Sequence, residues 1–255
     1  MSGAERHQDS YPKNALVTGA GQRLGQAMAL ELAARGYRVG LHYNSSRQAT
    51  ERTAEDIRRN GGEAILFQAD LSLEEETVQL VEDVDRELGP LGVLVNNAAT
   101  FVRDEWDDTT RDSWDLHMEP NLRAPFILTQ AMARNLPNDS GGLVINLLDQ
   151  RVWNLTPHFI SYTLSKSGLW TLTRTLALSL APRIRVNAIG PGPTLPSPNQ
   201  TQAQFDAQVR KVPLRRGPDM DEVRNTLAFL LGAGSVTGQM IALDGGQHLG
   251  WGQVN

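Results

Sequence analysis

Between a short apolar run and a helical pattern, the chain reads Thr18-Gly19-Ala20-Gly21-Gln22-Arg23-Leu24-Gly25. Glycines let the backbone turn tightly and approach a pyrophosphate closely, and the start of the following helix supplies free N–H groups and a positive dipole end. A glycine-rich turn alone is weak evidence and is also found in plain strand-to-helix connections. Its place after the first strand of an alternating chain favours a dinucleotide-binding turn.

On both sides of this turn, short β-rich runs alternate with longer helical patterns. The predicted strands cover residues 14–18, 38–43, 64–68, 91–96, 143–148, 184–189 and 240–243, and the predicted helices cover 23–35, 47–60, 73–88, 111–136, 160–181 and 219–231. This alternation predicts an α/β fold, a single-domain Rossmann-type doubly wound parallel sheet of about seven strands with helices on both faces. The near-continuous apolar character of the strands is typical of buried parallel strands.

No linker, repeat or low-complexity break interrupts the pattern, so residues 13–255 are expected to form one domain. Residues 1–12 are polar and are expected to be a disordered lead-in, not a secretory signal. The segment around 193–212 is rich in proline and then polar, which predicts a long loop with its own short helix, serving as a substrate lid.

Composition excludes several classes of protein. The chain has 255 residues, 40% of them hydrophobic and 21% charged, which is ordinary for a globular protein in water. A net charge of -5 gives no basic footprint for nucleic acid, and no stretch approaches a membrane span. The absence of cysteine excludes disulfides, thiolate metal sites and a cysteine nucleophile, and it fits the cytoplasm. The expected partner is a small-molecule substrate, with no metal.

The end of the second strand discriminates between cofactors. NAD sites usually place an acid there to hold the ribose 2′-OH, but here the chain continues His42-Tyr43-Asn44-Ser45-Ser46-Arg47. With Arg23 in the glycine turn and Arg47 at the next helix, cations and hydroxyls suit a 2′-phosphate and favour NADPH. The alternative is that both arginines are solvated helix-start residues. Asp70, after the third strand, either accepts from the adenine amino group or caps the following helix, and the two roles are compatible.

Tyr162 and Lys166 lie one turn apart on a predicted helix and therefore share a face. A free tyrosine has a pKa of about 10 and is a poor acid–base group at neutral pH. A neighbouring ammonium is expected to lower that pKa by roughly 1–3 units, and the lysine also suits the nicotinamide ribose. The pair predicts the proton donor of a hydride-transfer enzyme. The alternative is an exposed helix pair.

Taken together, these pieces resemble the short-chain dehydrogenase/reductase family over essentially the whole chain. The matching motifs, in the family's order, are the turn Thr18–Gly25, Asp70, Asn96-Asn97-Ala98-Ala99, Asn121, Tyr162-x-x-x-Lys166, Arg185-Val186-Asn187-Ala188-Ile189-Gly190-Pro191-Gly192, Thr237-Gly238-Gln239 and Asp244-Gly245-Gly246. The resemblance implies hydride transfer between a nicotinamide and a substrate C=O or C=N, with Tyr162 handling the proton.

The resemblance also implies roles for the matching positions. Asn121 would hold a water in a proton relay that leads through Lys166 to Tyr162, and Pro191-Gly192 would contact the nicotinamide amide. Asn96 to Ala98 would brace the sheet and line the adenosine. The remaining implied cofactor contacts are Gly19, Leu24, Gly25, Leu71, Asn97, Ala98 and Ala99. Family members usually form tetramers, so a homotetramer is expected, and the tail 250–255 is a candidate to reach a neighbour's site.

One departure from the family pattern bears on the substrate. Most members place a serine thirteen residues before the tyrosine, whereas this chain has Asp149. An ionised aspartate only accepts hydrogen bonds, and its charge opposes an oxyanion, so it suits a substrate with N–H donors or a protonated ring nitrogen. The alternative is that Asp149 is a strand-end turn residue and another group replaces the serine. Phe101 is either a stacking surface for a flat heterocycle or core filler.

Arg23, His42-Tyr43, Phe101 and Asp149 together resemble the pteridine reductases, including the bacterial dihydromonapterin reductases. That resemblance implies reduction of a dihydropterin-like C=N, with Arg23 contacting both cofactor and substrate, a pterin between Phe101 and the nicotinamide, and Asp149 assisting Tyr162. Two alternatives stay open. One is an NADPH-dependent reductase of a sugar, a steroid or a 3-oxoacyl thioester. The other is a non-catalytic nucleotide sensor.

Overall fold

Seven strands form a single, fully parallel sheet in the computed structural model, which describes residues 11–196 and 200–250. The strands are β1 Asn14–Val17, β2 Arg38–Tyr43, β3 Ala64–Gln68, β4 Val93–Asn96, β5 Gly142–Leu147, β6 Ile184–Pro191 and β7 Met240–Leu243. Their order is β3-β2-β1-β4-β5-β6-β7, and every neighbouring pair is parallel. The predicted Rossmann-type sheet is confirmed, with strand ends shifted by at most two residues.

Within the described residues, eight α-helices connect and cover the strands. They are α1 Arg23–Ala34, α2 Arg47–Arg59, α3 Glu74–Leu88, α4 Arg111–Met118, α5 Ala124–Asn135, α6 Ile160–Ser179, α7 Gln202–Lys211 and α8 Met220–Gly232. The single helix predicted over 111–136 is corrected, because a π-helical segment, Glu119–Arg123, separates α4 from α5. Pro120 lies in that segment and has no backbone N–H for a regular helical bond, so the chain takes a wider turn there.

The two faces of the sheet bury separate apolar clusters. Successive residues of a strand point to opposite faces, and along β1 Ala15 and Val17 join the cluster under α1, α2 and α8. Leu16, between them, joins the cluster under α3, α5 and α6. Because helices cover both faces, the strands need apolar residues at every position.

The strand order reverses between β1 and β4, and parallel sheets open a crevice at such a point beyond the carboxyl ends of the strands. The glycine turn leaves β1 there, and the Asn96-Asn97-Ala98-Ala99 stretch leaves β4 beside it. The fold therefore brings two of the sequence motifs to one edge of the sheet.

Helix α7 confirms the short helix predicted within the lid, and a capping box of Thr201 and Gln204 starts it. Residues 197–199 of the lid, 1–10 of the predicted lead-in and 251–255 of the tail lie outside the described residues. Tyr11, at the end of the predicted lead-in, is described, and its hydroxyl accepts a hydrogen bond from Arg185 at 3.2 Å. Within 11–196 and 200–250, no helix has the length and apolar character needed to cross a membrane.

Candidate active site

The glycine turn is fixed to the end of β4 by hydrogen bonds. The Thr18 hydroxyl accepts from the backbone N–H groups of Asn97 and Ala98 at 3.0 and 2.9 Å. The Asn97 side-chain amide donates to the carbonyls of Thr18 and Gly19 at 2.9 and 3.1 Å. Asn97 therefore holds the turn from the side on which the crevice opens.

The turn has no room for side chains at its glycines. A Cβ added to Gly25 would lie 2.2 Å from the carbonyl oxygen of Gly19, which is itself left-handed with a φ of +64°. Arg23 also has a positive φ of 55°, which a non-glycine residue rarely adopts without functional reason. This close approach of helix α1 to the turn is the geometry that a pyrophosphate-binding site requires.

His42 supports the turn from behind. Its buried ring accepts from the backbone N–H of Gly19 through Nδ1 at 3.2 Å, and Nε2 lies 3.0 Å from the carbonyl of Ala69. Since Nδ1 accepts, Nε2 carries the proton, and the ring is neutral. Burial lowers the pKa of His42 to about 4. The structure thus places this predicted cofactor residue beneath the turn, where it shapes the site.

The other residues predicted near a 2′-phosphate differ in how exposed their side chains are. Tyr43 is buried, whereas Asn44, Ser45 and Arg47 are exposed at the strand end. Arg47 pairs with Glu51 at 2.9 Å. These positions form an open, polar edge beside the turn.

Arg23 reaches across the crevice to the lid. Its guanidinium donates to the carbonyl oxygens of Leu195 and Pro196 at 3.0 and 2.8 Å. Arg23 is therefore more than a solvated helix-start residue, since it joins the glycine turn to the start of the predicted lid.

Asp70 does not cap a helix, which corrects one of its two predicted roles. Helix α3 starts at Glu74, and the Asp70 carboxylate instead accepts from the backbone N–H and the hydroxyl of Ser72 at 2.9 and 2.7 Å. These bonds lower the pKa of Asp70. Contact with adenine stays a prediction for Asp70, as cofactor contact does for the buried Leu71.

Tyr162 and Lys166 are buried on the inner face of α6, so the exposed-pair interpretation is wrong. The Tyr162 hydroxyl donates to Oδ2 of Asp149 at 3.2 Å. Lys166 Nζ donates to the carbonyl of Leu147 at 2.8 Å and lies 5.9 Å from the centre of the tyrosine ring. Burial lowers the pKa of Lys166 to about 8, and the negative charge of Asp149 opposes that shift.

The predicted lowering of the Tyr162 pKa is also wrong. Burial raises that pKa well above its usual value, the charge of Asp149 and its hydrogen bond raise it further, and Arg151 offsets only part of the shift. The sequence-based expectation considered the lysine and neglected burial and the carboxylate. In this arrangement the phenol keeps its proton, as a proton donor must before it reacts.

Asn121 lies in the π-helical segment and is fully buried. Its amide donates to the carbonyl of Thr100 at 2.9 Å and to the hydroxyl of Ser165 at 3.1 Å, and its Oδ1 accepts from the Thr100 N–H at 2.8 Å. These bonds fix the chain just before Phe101 against α6. The water relay stays a prediction.

Asp149 is both a turn residue and a partner of Tyr162. Its Oδ1 accepts from the backbone N–H of Arg151 at 2.8 Å, which starts a short 3-10 helix after β5. The Arg151 Nη1 atom also donates to both carboxylate oxygens, at 3.2 and 3.1 Å. Sequence reasoning missed Arg151, although an arginine two residues after an aspartate at a strand end is a signal for such a pair.

Phe101 faces the crevice and is 43% exposed, so the core-filler interpretation is wrong. Its ring stacks on Phe159 with centroids 4.6 Å apart and planes within 5°, and the centroid of the Tyr162 ring also lies 4.6 Å away, with the two planes at 70°. Phe159 has a positive φ of 61°, and sequence reasoning did not single it out. The two phenyl rings form one wall beside the reactive hydroxyl.

Sequence reasoning also missed a buried polar cluster beneath this wall. The Ser161 hydroxyl donates to the carboxylate of Asp104, and His117 Nδ1 lies 2.7 Å from the same hydroxyl. His117 Nε2 accepts from the Val102 N–H at 3.1 Å, and burial lowers the pKa of the ring. Since Asp104 and Val102 follow Phe101 directly, the cluster ties the Phe101 loop to the start of α6.

A cleft of about 800 Å³ is lined both by residues of the glycine turn and by residues around Tyr162. Of the predicted site residues, its walls include Arg23, Leu24, Asn97, Ala99, Phe101, Asp149, Tyr162, Lys166, Pro191 and Gly192. A Cβ added to Gly192 would lie 2.5 Å from Cα of Asp244, so the chain passes close to the β7 end there. The residues around His42 and Asp70 do not line this cleft.

Known proteins share this architecture along most of the chain. The family model described as enoyl-(acyl carrier protein) reductase matches residues 19–248. A 3-oxoacyl-[acyl-carrier-protein] reductase of Staphylococcus epidermidis is 31% identical over 93% of this chain and 99% of its own length. A short-chain type dehydrogenase/reductase of Picea abies is 30% identical over 91% of each chain.

A solved structure adds a closer likeness in sequence. FolM alternative dihydrofolate reductase 1 from Brucella suis, in complex with NADP, is 48% identical, with a TM-score of 0.90 over 93% of this chain and 96% of that chain. These matches point to the same family as the Tyr162–Lys166 pair and the glycine turn. The chain belongs to the short-chain dehydrogenase/reductase superfamily and, within it, resembles the pteridine and folate reductases.

Proposed function

We propose that this protein reduces a dihydropterin-like heterocyclic C=N with NADPH. The observation that carries the proposal is the bond between the Tyr162 hydroxyl and the Asp149 carboxylate, beside the exposed ring of Phe101 in one cleft. The likeness to a folate-reducing enzyme that was solved with NADP supports both the substrate class and the cofactor.

The described residues fit such a cofactor. Helix α1 begins without a side-chain cap at the tight turn between Gly19 and Gly25, so its first N–H groups suit a pyrophosphate, and the exposed Asn44-Ser45-Arg47 edge suits a 2′-phosphate. Lys166, Pro191 and Gly192 line the cleft where the nicotinamide half would lie. When bound, NADPH supplies the hydride.

The chain's own residues supply the proton. In the reduction of C=N, the ring carbon gains a hydride and the ring nitrogen gains a proton, which Tyr162 donates from its hydroxyl. The high pKa of Tyr162 keeps that proton in place until the nitrogen becomes basic. Lys166 Nζ, which lies 5.9 Å from the ring, then stabilises the negative charge left on the phenol oxygen.

Asp149 fits a nitrogen heterocycle better than it fits a ketone. A pterin presents N–H groups that a carboxylate accepts, whereas a ketone develops an oxyanion that a carboxylate repels. Phe159 covers one face of the Phe101 ring, and a flat substrate ring that packs on the 43% of Phe101 that is exposed would lie beside Tyr162.

Carbonyl reduction is the second candidate, and one contact favours it. Arg151 pairs with Asp149 and cancels much of its charge, so repulsion of an oxyanion is weaker than Asp149 alone implies. The relative at 31% identity is named for reduction of a 3-oxoacyl thioester. A sugar or steroid ketone would use the same chemistry.

Initial rates of NADPH oxidation test the two candidates. The wild-type protein is given a 7,8-dihydropterin, dihydrofolate and a 3-oxoacyl thioester, and the pteridines are expected to turn over fastest. Asp149→Ser is expected to slow the pteridine reaction and to speed the thioester reaction. Brisk thioester turnover without any pteridine turnover would overturn the proposal in favour of carbonyl reduction. NADPH binding without any turnover would favour a sensor.

We further propose that the protein assembles as a homotetramer. Helix α6 leaves Leu164 and Leu178 exposed at 45% and 83%, and α8 leaves Phe229 exposed at 53%. Of these helices, α6 is one through which family members usually assemble, and its exposed apolar side chains favour burial against another copy. Sedimentation of a monomer at micromolar concentration would overturn this assembly.

A further inference from the structure

Arg151 lies in the wall of the cleft between a carboxylate and two phenyl rings. Its Nη1 atom donates to both oxygens of Asp149, and its Cζ atom lies 5.4 and 5.0 Å from the ring centres of Phe101 and Phe159. The side chain is 19% exposed. An arginine held on two sides in this way has little freedom to rotate.

One edge of this guanidinium lacks a partner. The Nε atom of Arg151 is buried, and no hydrogen-bond acceptor lies within reach of it among the described residues. A buried donor without an acceptor is costly, and proteins rarely tolerate one without a functional reason. The Nη2 atom on the same edge makes no hydrogen bond with a described residue and belongs to a side chain that lines the cleft, so an acceptor atom of a bound ligand is its natural partner.

We propose that Arg151 is a specificity-determining residue that donates a hydrogen bond to an acceptor atom of the substrate ring, while Asp149 accepts from the N–H groups of the same ring. This inference rests on the proposed pteridine reduction. A pterin carries an exocyclic oxygen and unprotonated ring nitrogens as acceptors, together with N–H and amino donors. The Asp149 carboxylate can accept from the donors of the ring, and the Arg151 guanidinium can donate to its acceptors.

The pair also accounts for the missing serine of the family pattern. The serine hydroxyl donates to a substrate oxygen, and here the guanidinium takes over that donation. Asp149 fixes the plane of the guanidinium, and the phenyl rings support its face, so the donor is oriented before the substrate binds. The pair is neutral as a whole, and an uncharged ring therefore binds without burying an uncompensated charge.

The test compares two ligands that differ at the acceptor atom. Dissociation constants are measured by calorimetry, with the protein saturated with NADP⁺, for an oxidised 2-amino-4-oxopteridine and for a 2,4-diaminopteridine. The second ligand has an amino donor where the first has its oxygen. Arg151→Met is expected to weaken binding of the oxo ring about tenfold, and binding of the diamino ring by less than about twofold.

Two further variants control for charge and for folding. Arg111→Met removes an arginine from the exposed pair with Asp115, and both dissociation constants are expected to stay unchanged. Arg151→Lys keeps the positive charge but loses the planar fork, so it is expected to retain the fold and still to discriminate less between the two rings. It replaces Arg151→Met if thermal unfolding shows that the methionine variant is not folded.

The outcomes separate this inference from the proposed function. Equal weakening for both rings, or no weakening for either, would overturn the role of Arg151 while the wild-type protein still reduces dihydropterin. A wild-type protein that neither binds nor reduces any pteridine would overturn both proposals.

Discussion

The side of the cleft proposed to bind the cofactor and the side proposed to bind the substrate are built in different ways. On the proposed cofactor side, the wall is formed mainly by the backbone of the glycine turn. Thr18, Asn97 and His42 hold that backbone in place by hydrogen bonds. On the substrate side, side chains that are far apart in the sequence meet, with Phe101 and Arg151 as examples. A site formed by backbone suits a ligand that the whole superfamily shares. A site formed by side chains can differ between family members that act on different substrates.

Replacement of Tyr162 by phenylalanine is expected to give the largest difference between the two sides of the cleft, because it should lower the reaction rate and leave cofactor binding unchanged. Tyr162→Phe removes the proposed proton donor and its hydrogen bond to Asp149, while the glycine turn is untouched. We expect kcat to fall by roughly 10²- to 10⁴-fold and the dissociation constant for NADPH to change by less than about twofold. Steady-state kinetics and fluorescence titration with NADPH measure the two quantities. Loss of NADPH affinity to the same degree as kcat would show that the two sides are not independent.

Replacement of Gly25 by alanine tests the opposite side. Its Cβ would lie 2.2 Å from the carbonyl oxygen of Gly19, so the turn must open. We expect the dissociation constant for NADPH to rise by about 100-fold, on the order of 3 kcal/mol, because the N–H groups of the turn lose their alignment. Gly232→Ala is the matched control, since an added Cβ there meets nothing within 4 Å. A similar loss in both variants would contradict the role of the turn.

The sequence was enough to predict the sheet, most element bounds and the tight glycine turn, for a physical reason. Buried parallel strands need continuous apolar runs, and a turn that closes as tightly as Gly19–Gly25 needs glycine, so both leave local signals. Tyr162 and Lys166 were predictable because the helix itself sets their spacing. Each of these features depends on residues within a few positions of one another.

The substrate side could be predicted only in part, because it depends on long-range packing. The sequence identified Phe101 and Asp149 one by one, but it did not show that Arg151 lies between them or that Phe159 stacks on Phe101. The direction of the Tyr162 pKa shift was missed for the same reason, since burial is a property of the folded chain.

His42 offers a smaller effect on the cofactor side. His42→Leu removes the acceptor for the Gly19 N–H, and we expect NADPH to bind about tenfold more weakly. His42→Asn places a carbonyl oxygen near the former Nδ1 position and is expected to bind NADPH nearly as well as the wild type. Titrations at pH 8 compare the three proteins. Equal binding by the leucine variant would show that the ring does not hold the turn.

The same residue makes stability depend on pH. In the folded protein the pKa of His42 is about 4, below the usual value of 6.5. The unfolded chain therefore binds the proton first as pH falls, and stability that is present above pH 6.5 is lost progressively down to about pH 4. The loss attributable to this group is about 3 kcal/mol. Urea unfolding of the wild type and His42→Asn between pH 7 and 4 is expected to show a shallower decline for the variant.

Replacement of Arg23 is expected to have the smallest effect on cofactor preference, because Arg23 belongs to the glycine turn and its side chain also contacts the predicted lid. Its guanidinium already donates to the carbonyls of Leu195 and Pro196 in the lid, so a 2′-phosphate must compete with these acceptors, and the net gain from the charge is reduced. We expect Arg23→Met to lower the preference for NADPH over NADH, as a ratio of kcat/KM values, by about fivefold. Arg47→Met, which removes an exposed arginine paired with Glu51, is expected to lower it by less. If Arg47→Met had the larger effect, the 2′-phosphate would be bound mainly at the strand end and Arg23 would act mainly on the lid.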